Sequence, residues 1–206
     1  MSRFELIPAV ELDKATLIRS GFGDRAHAEV PAHLANPELL SRLLVHHDSG
    51  YDTFGVAQSQ DFVPPVTAFC GGLVLKRDDE VLLEPECCAD LSDVYGWWEA
   101  AQYRESKKRD LWVGHPWYEV AFQDDELHIY YAREAEWNSV YSREMPVVSL
   151  APAELLNLVR AAYAVQESLA EALRPLVEAE LSHSVECVCR SLAGVYHRPD
   201  VSQPSA

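Results

Sequence analysis

The sequence predicts an α+β fold, in which a mostly antiparallel sheet of about five or six strands is packed by N-terminal helices and by long C-terminal helices. Three observations support this class. A helix start lies in the N-terminal part of the chain, two hairpin patterns lie in its middle, and helical periodicity begins at Pro152. Because helices and strands are separated along the chain, the pattern favours α+β over alternating βαβ units. One domain over residues 1–197, followed by a disordered tail at 198–206, is the simplest organisation of the 206 residues.

The N-terminal part of the chain predicts two helices. Residues 10–20 are expected to form a short helix that ends at Gly21. The second helix is expected to begin at Asn36, whose side chain can accept a hydrogen bond from a free backbone N–H, with Pro37 in the first helical position. It is expected to end where a polar loop begins, at residues 48–65.

The middle of the chain predicts two hairpins. In the first, residues 72–76 and 80–83 flank a turn, and both arms are rich in Leu and Val, which predicts central strands. In the second, residues 118–123 and 127–131 alternate between apolar and more polar side chains. That alternation predicts a sheet with one buried face. Residues 147–150 are expected to add an edge strand.

A helix is predicted between the two hairpins. Asp90 is placed to cap a helix over residues 91–106. Gly96 lowers the stability of that helix by roughly 1 kcal/mol relative to Ala. Trp97 and Trp98 are neighbours on it, so one is expected to face the core while the other lies nearer the surface.

The end of the chain predicts two amphipathic helices. From Pro152 apolar residues recur with helical period, which indicates one buried face. Pro175 has no backbone N–H, so it is expected to interrupt the first helix. A second helix is therefore predicted over residues 174–193.

The charge of the chain limits its partners. The net charge of −16 disfavours nucleic acid, because an acidic surface repels phosphates, and it favours basic protein partners. No apolar run is long enough to span a bilayer, and no secretory signal is seen, so no membrane association is expected. Five cysteines in clusters do not resemble a secreted disulfide framework, which favours a cytoplasmic location.

The cysteines and histidines do not form a standard metal motif, and no cofactor is expected. Cys187 and Cys189 are two residues apart on a predicted helix, so their sulfurs point about 200° apart. Cys87 and Cys88 are adjacent, and adjacent side chains rarely hold one tetrahedral ion. A histidine site remains an alternative, although the spacings match no common motif; its residues would be His27, His33, His46 and His47.

Covalent catalysis is disfavoured by the local charge. Cys87 or Cys88 with His115 would make a thiolate–imidazole pair. The carboxylates around the cysteines raise a thiol pKa, which opposes that role. Acid–base hydrolysis needs two carboxylates on opposite sides of a cleft, and the sequence does not show such a separation. The carboxylates that could serve form the acidic run Glu84, Glu86, Asp90, Asp93 and Glu99. Asp90 and Asp93 are better explained as residues of a helix N-terminus, where the helix dipole favours negative charge.

The acidic and aromatic residues between Glu84 and Tyr118 form the candidate binding surface. Carboxylates beside aromatic rings suit cationic groups, through charge and through cation–π contact. Pro116 holds His115 extended between two tryptophans. The tryptophans are also consistent with a plain sheet–helix core. The predicted binding residues are Glu84, Asp90, Asp93, Trp98, Trp112, His115 and Trp117.

Two short motifs carry a resemblance. Cys87-Cys88-x-x-Leu91 and Trp112-x-Gly114-His115-Pro116, together with the closing helices, resemble a group of uncharacterised bacterial proteins over roughly residues 70–175. In size and charge such proteins are similar to immunity proteins of bacterial toxin systems, which act by binding. The resemblance therefore implies a binding role and no catalytic residue.

Taken together, the sequence favours a non-enzymatic, acidic module that binds a basic protein, blocking a toxin being the concrete form. The alternative is a small metal-dependent or acid–base hydrolase that uses His115 or the N-terminal histidines. A homodimer through the C-terminal helices is a third interpretation.

Overall fold

The computed structural model describes residues 3–11, 27–30, 36–58, 66–85, 88–114, 117–132 and 145–196. It confirms the α+β class, with antiparallel strands and a long C-terminal helix. The strands of these residues form two four-stranded sheets rather than one sheet of five or six. Two hairpins carry no sequence signal that says whether their edges pair, because that depends on how the intervening helix packs.

The first sheet has the strand order β2-β1-β3-β4 and is antiparallel throughout. Its strands are β1 (Phe4–Glu11), β2 (His27–Glu29), β3 (Gly71–Arg77) and β4 (Glu80–Leu83). The hairpin of β3 and β4 is the first predicted one. Only β3 is central, whereas β4 lies at the edge and leaves Val81 exposed. The prediction, from its Leu and Val content, that β4 is a central strand was therefore wrong.

The second sheet has the order β5-β6-β7-β8 and is also antiparallel. Its strands are β5 (Arg109–Leu111), β6 (Tyr118–Gln123), β7 (Glu126–Tyr131) and β8 (Val148–Leu150). The hairpin of β6 and β7 and the edge strand β8 are confirmed. Strand β5 lies at the other edge, which leaves one of its sides unpaired by sheet within the described residues.

The helices lie before, between and after these strands. None of the described helices has both the length and the apolar character needed to cross a bilayer. They are α1 (Pro37–Tyr51), α2 (Thr53–Gln58), α3 (Val94–Gln102), α4 (Pro152–Glu180) and α5 (Val185–Leu192), with a single 3₁₀ turn at Leu91–Asp93 before α3.

The N-terminal predictions were partly wrong. Residues 10 and 11, the start of the predicted helix, belong to β1, where Pro8 to Val10 pair with β3; residues 12–20 lie outside the described part. The cap at Asn36 is confirmed, because its side chain accepts a hydrogen bond from the Leu39 N–H at 3.2 Å. Helix α1 continues to Tyr51, and α2 follows inside the predicted loop.

Pro175 does not interrupt the C-terminal helix. Helix α4 runs through it to Glu180. A proline inside a helix removes one hydrogen bond and costs about 3 kcal/mol. The side chains of Leu173 and Val177, on either side of it, are fully buried, so tertiary packing offsets the cost. The predicted boundary at residue 174 was therefore wrong, and the second helix begins only at Val185.

The C-terminal part of the chain supports the segment that leads into α3. Helix α4 packs against α3, α5 and β1. The buried amide of Gln166, on α4, donates a hydrogen bond to the Leu91 carbonyl oxygen at 2.6 Å. The Phe69 N–H donates to the Leu192 carbonyl oxygen at 2.9 Å. These contacts place the end of the chain beside residues 90–93, while residues 198–206 lie outside the described part.

Candidate functional site

A cleft of about 500 Å³ lies between the start of α3 and strand β5. Among the described residues, its walls come from the 3₁₀ turn with α3, from strand β5 with the residue after it, from Val120 of β6 and from Tyr196 near the C-terminus. Clefts of this size are typical of sites for small ligands or single side chains of a partner.

The acidic wall of the cleft is built by a helix cap. Asp90 is extended, and its carboxylate accepts a hydrogen bond from the Ser92 N–H at 2.7 Å. In return, the Asp90 N–H donates to Asp93 Oδ2 at 3.2 Å. This reciprocal arrangement is a capping box, which satisfies two backbone donors at the helix start. The prediction that Asp90 caps the helix is thus confirmed, although the helix ends at Gln102 rather than at residue 106.

Asp93 is buried, with only 7% of its surface exposed. Burial is the main cause that raises the pKa of its carboxyl to about 7; the negative charge of Asp90 acts in the same direction, and the hydrogen bond from the Asp90 backbone opposes both. Near neutral pH the cleft therefore holds one carboxyl group that changes charge within the physiological range.

Two tyrosines form the aromatic wall next to the cap. The rings of Tyr95, on α3, and Tyr196 are stacked, with centroids 6.3 Å apart and planes 18° from parallel. Burial raises the pKa of the Tyr196 hydroxyl, and Asp90 contributes in the same direction. Both rings line the same cleft as Asp90 and Asp93.

Strand β5 supplies the opposite wall. Arg109 forms an ion pair with Glu99 of α3, with Nη2 and Oε2 2.7 Å apart. Asp110 is exposed beside it. The cleft thus has four carboxylates against one guanidinium, and that guanidinium already contacts one of them; the carboxylates are Asp90, Asp93, Glu99 and Asp110.

Trp112 separates this cleft from a second, smaller hollow of about 150 Å³. Its side chain is 54% exposed and lines both. Trp117, which is 37% exposed, lines the hollow alone. The exposure of both rings contradicts a plain core role for these two residues.

Gly96 explains how Trp112 comes so near to α3. A Cβ atom at position 96 would lie 2.5 Å from the Trp112 carbonyl oxygen. The glycine that weakens the predicted helix is therefore the residue that allows the helix and the end of β5 to approach closely.

Replacing Gly96 by Ala is expected to lower the free energy of unfolding by about 1–3 kcal/mol, because the helix or the Trp112 backbone must shift. Denaturant unfolding measures this, and a change in tryptophan fluorescence of the folded state would report the shift at Trp112. Gly50→Ala is the matched control, since position 50 is also helical and has no atom within 4 Å of the added Cβ. The free energy of unfolding of this control should rise by about 0.5–1 kcal/mol. A similar gain for Gly96→Ala would contradict the close approach.

The predicted binding residues do not all come together in the structure. Asp90, Asp93 and Trp112 meet in the cleft, and Trp117 lies in the neighbouring hollow. Glu84 is exposed after β4 and does not line either space. His115 lies outside the described residues.

Trp98 lies in the core, together with Trp97. They are 8% and 0% exposed. The prediction that one of them lies near the surface was wrong, because both side chains pack into the hydrophobic core that α3 and α4 share. Adjacent helix positions are then both interior.

Sequence reasoning missed several residues of the site. Asp110 and Trp112 are two apart in an extended segment, and such residues share a face, so this pair carried a usable signal. Glu99 belongs to the acidic run but is not among the predicted binding residues. Tyr95 and Tyr196 carried no signal that joins them, because their contact depends on how the chain end packs.

The alternative of a metal site gains no support from a cluster of possible ligands in the part of the chain that the structure describes. No three His, Cys, Asp or Glu residues there are arranged to hold a metal ion. His46 is exposed, whereas His47 is buried and donates from Nε2 to the Thr67 carbonyl oxygen at 3.1 Å. His33, and the side chain of His27, lie outside the described part.

The cysteines follow the predicted geometry. Cys189 is buried, and burial raises the pKa of its thiol to about 11, while Cys187 is exposed on the other side of α5. The two sulfurs therefore point apart, as their spacing predicts. Cys88 is exposed at the cleft, and Cys87 lies outside the described residues.

Comparison of the chain with protein-family models, with curated proteins and with solved structures gives no match.

Proposed function

We propose that the protein binds a basic segment of a partner protein in the cleft between α3 and β5. The observation that carries the proposal is a cleft lined by the carboxylates of Asp90, Glu99 and Asp110 together with aromatic rings. A lysine or arginine side chain fits this chemistry, since carboxylates attract its charge and aromatic rings attract it through their faces.

The charge of the whole chain supports the same partner. A net charge of −16 steers basic proteins toward the surface and repels acidic ones. Within the cleft, Arg109 is the only basic residue among the described lining, and it pairs with Glu99 rather than with Asp110, whose side chain is exposed. Asp90 adds negative charge at the same cleft, although its Oδ1 also accepts the Ser92 N–H. In its most specific form, the proposal is that the partner is a basic toxin, which the protein would block by occlusion.

One observation favours the alternative of acid–base hydrolysis, namely the pKa of Asp93, which is raised to about 7. A general acid must reach its substrate. Asp93 is buried and its Oδ2 already accepts the Asp90 N–H, so the carboxyl serves the helix cap. The geometry therefore supports binding better than hydrolysis.

Asp110→Lys is expected to weaken binding of a blocked, arginine-containing peptide about tenfold, because it replaces an attraction by a repulsion of similar size. The dissociation constant is measured by calorimetry on the full chain at low and moderate salt, and the variant should also show a weaker salt dependence.

The matched control is Glu178→Lys, which makes the same change of charge at an exposed position of α4 that does not line the cleft. It should change the dissociation constant much less. Equal effects of the two variants would mean that only net charge matters, and no binding by the wild-type protein would reject the proposal.

A further inference from the structure

We infer that the partner segment carries an apolar side chain within two positions of its basic one, and that this apolar side chain enters the hollow between Trp112 and Trp117. The inference rests on the proposed function and adds the sequence character of the segment that is recognised.

The hollow is lined by Asp110, by three buried residues and by two exposed tryptophans. The buried residues are Leu111, Tyr118 and Ala132. They are held by the pairing of Leu111 with Tyr118 across β5 and β6, and by the Ala132 N–H, which donates to the Trp117 carbonyl oxygen at 2.7 Å. Trp112 and Trp117 line the same hollow and are 54% and 37% exposed, so an apolar side chain that entered would cover apolar surface of several residues.

The hollow has room for a single apolar side chain of the partner. Its volume is about 150 Å³. An apolar cavity of roughly 150 Å³ holds a benzene ring, so a leucine or phenylalanine side chain fits here. The space is below the ~300–1,000 Å³ of sites that enclose whole small ligands.

The hollow and the acidic cleft are neighbours along one strand. Asp110, Leu111 and Trp112 line both spaces. Strand β5 is an edge strand, so an extended segment can lie beside it. Residues of such a segment advance about 3.3 Å each, which brings the next side chain, or the next but one, to the adjacent space. The carboxylate of Asp110 lies at the junction and complements the positive charge of the segment.

Blocked tetrapeptides of equal charge test this inference. Two of them carry Arg and Leu, with Leu either at the next position or at the next but one. The third carries Gly in place of Leu. Calorimetry with the full chain should give a dissociation constant about tenfold lower for the Leu peptides than for the Gly peptide. This comparison needs no variant, so it does not depend on the folding of a mutant.

Trp117→Ala assigns the preference to the hollow, since Trp117 lines that space and not the cleft. It should remove the preference for Leu, which is measured as the ratio of the two dissociation constants. Asp90→Asn, within the cleft alone, should weaken both kinds of peptide by the same factor.

The outcomes separate the inference from the proposed function. Equal affinity of wild-type protein for the Leu and Gly peptides would overturn the inference and leave the binding function standing. A preference for Leu that persists in Trp117→Ala would overturn its placement in the hollow. If no basic peptide binds, the proposed function and the inference both fail.

Discussion

Gly194→Ala is expected to lower the free energy of unfolding by about 3 kcal/mol or more. Gly194 follows α5 with a φ of +73°, a conformation that L side chains rarely adopt. A Cβ there would lie 2.4 Å from the Leu91 carbonyl carbon and 2.6 Å from the Ser92 nitrogen. Those are backbone atoms of the capping segment, so they cannot move aside as a flexible side chain could.

A second variant at the same position separates the two causes. Asparagine tolerates positive φ better than alanine, but it carries the same Cβ. If the clash dominates, Gly194→Asn should destabilise as much as Gly194→Ala in denaturant unfolding; if the backbone conformation dominates, Asn should recover most of the loss. Gly50→Ala serves again as the control with an open environment. A neutral Gly194→Ala would contradict the packing of the chain end on residues 91 and 92.

Asp93→Asn is expected to make the protein more stable at about pH 8 and to change it little at about pH 5. In the folded protein the pKa of Asp93 is about 7, against an ordinary value of 3.8. Between these values the folded state holds a proton that the unfolded state has released, so stability falls as the pH rises. The stabilising effect of the bound proton is complete below the lower value and is lost as the pH passes the higher one.

The size of the effect follows from the same two values. Between about pH 5 and pH 8 the wild-type protein should lose roughly 2–3 kcal/mol through this group alone. Asparagine has no charge to bury, and its side-chain oxygen can still accept the Asp90 N–H. Denaturant unfolding of both proteins across the pH range gives the difference, in which other titrating groups cancel. Parallel curves for the two proteins would show that Asp93 is not the group that titrates.

Part of the fold could be predicted because its causes are local. The cap at Asn36 and the cap at Asp90 depend on side chains that bond to backbone within three residues. The hairpin of β6 and β7 depends on alternation and on a turn at Asp124 and Asp125. Such signals are complete within a short window of sequence, which is why the structure confirms them.

The failures came where packing over a distance overrides a local preference. Pro175 should end a helix, but buried neighbours on both sides keep α4 continuous. One of Trp97 and Trp98 was expected near the surface, but both are buried in the core. In each case the local rule was sound, and the free energy of burial elsewhere was larger.

The candidate site shows the same division. The sequence by itself determined that Asp90, Asp93 and Trp112 belong to an acidic and aromatic stretch, that the chain carries a charge of −16, and that Asp90 caps the turn that leads into a helix. Only the tertiary structure decided that Tyr196 and strand β5 join this stretch to form a cleft. The reason is physical: residue type and spacing specify hydrogen bonds between near neighbours, whereas a cleft depends on which distant surfaces bury each other, as Gly194 does against Leu91.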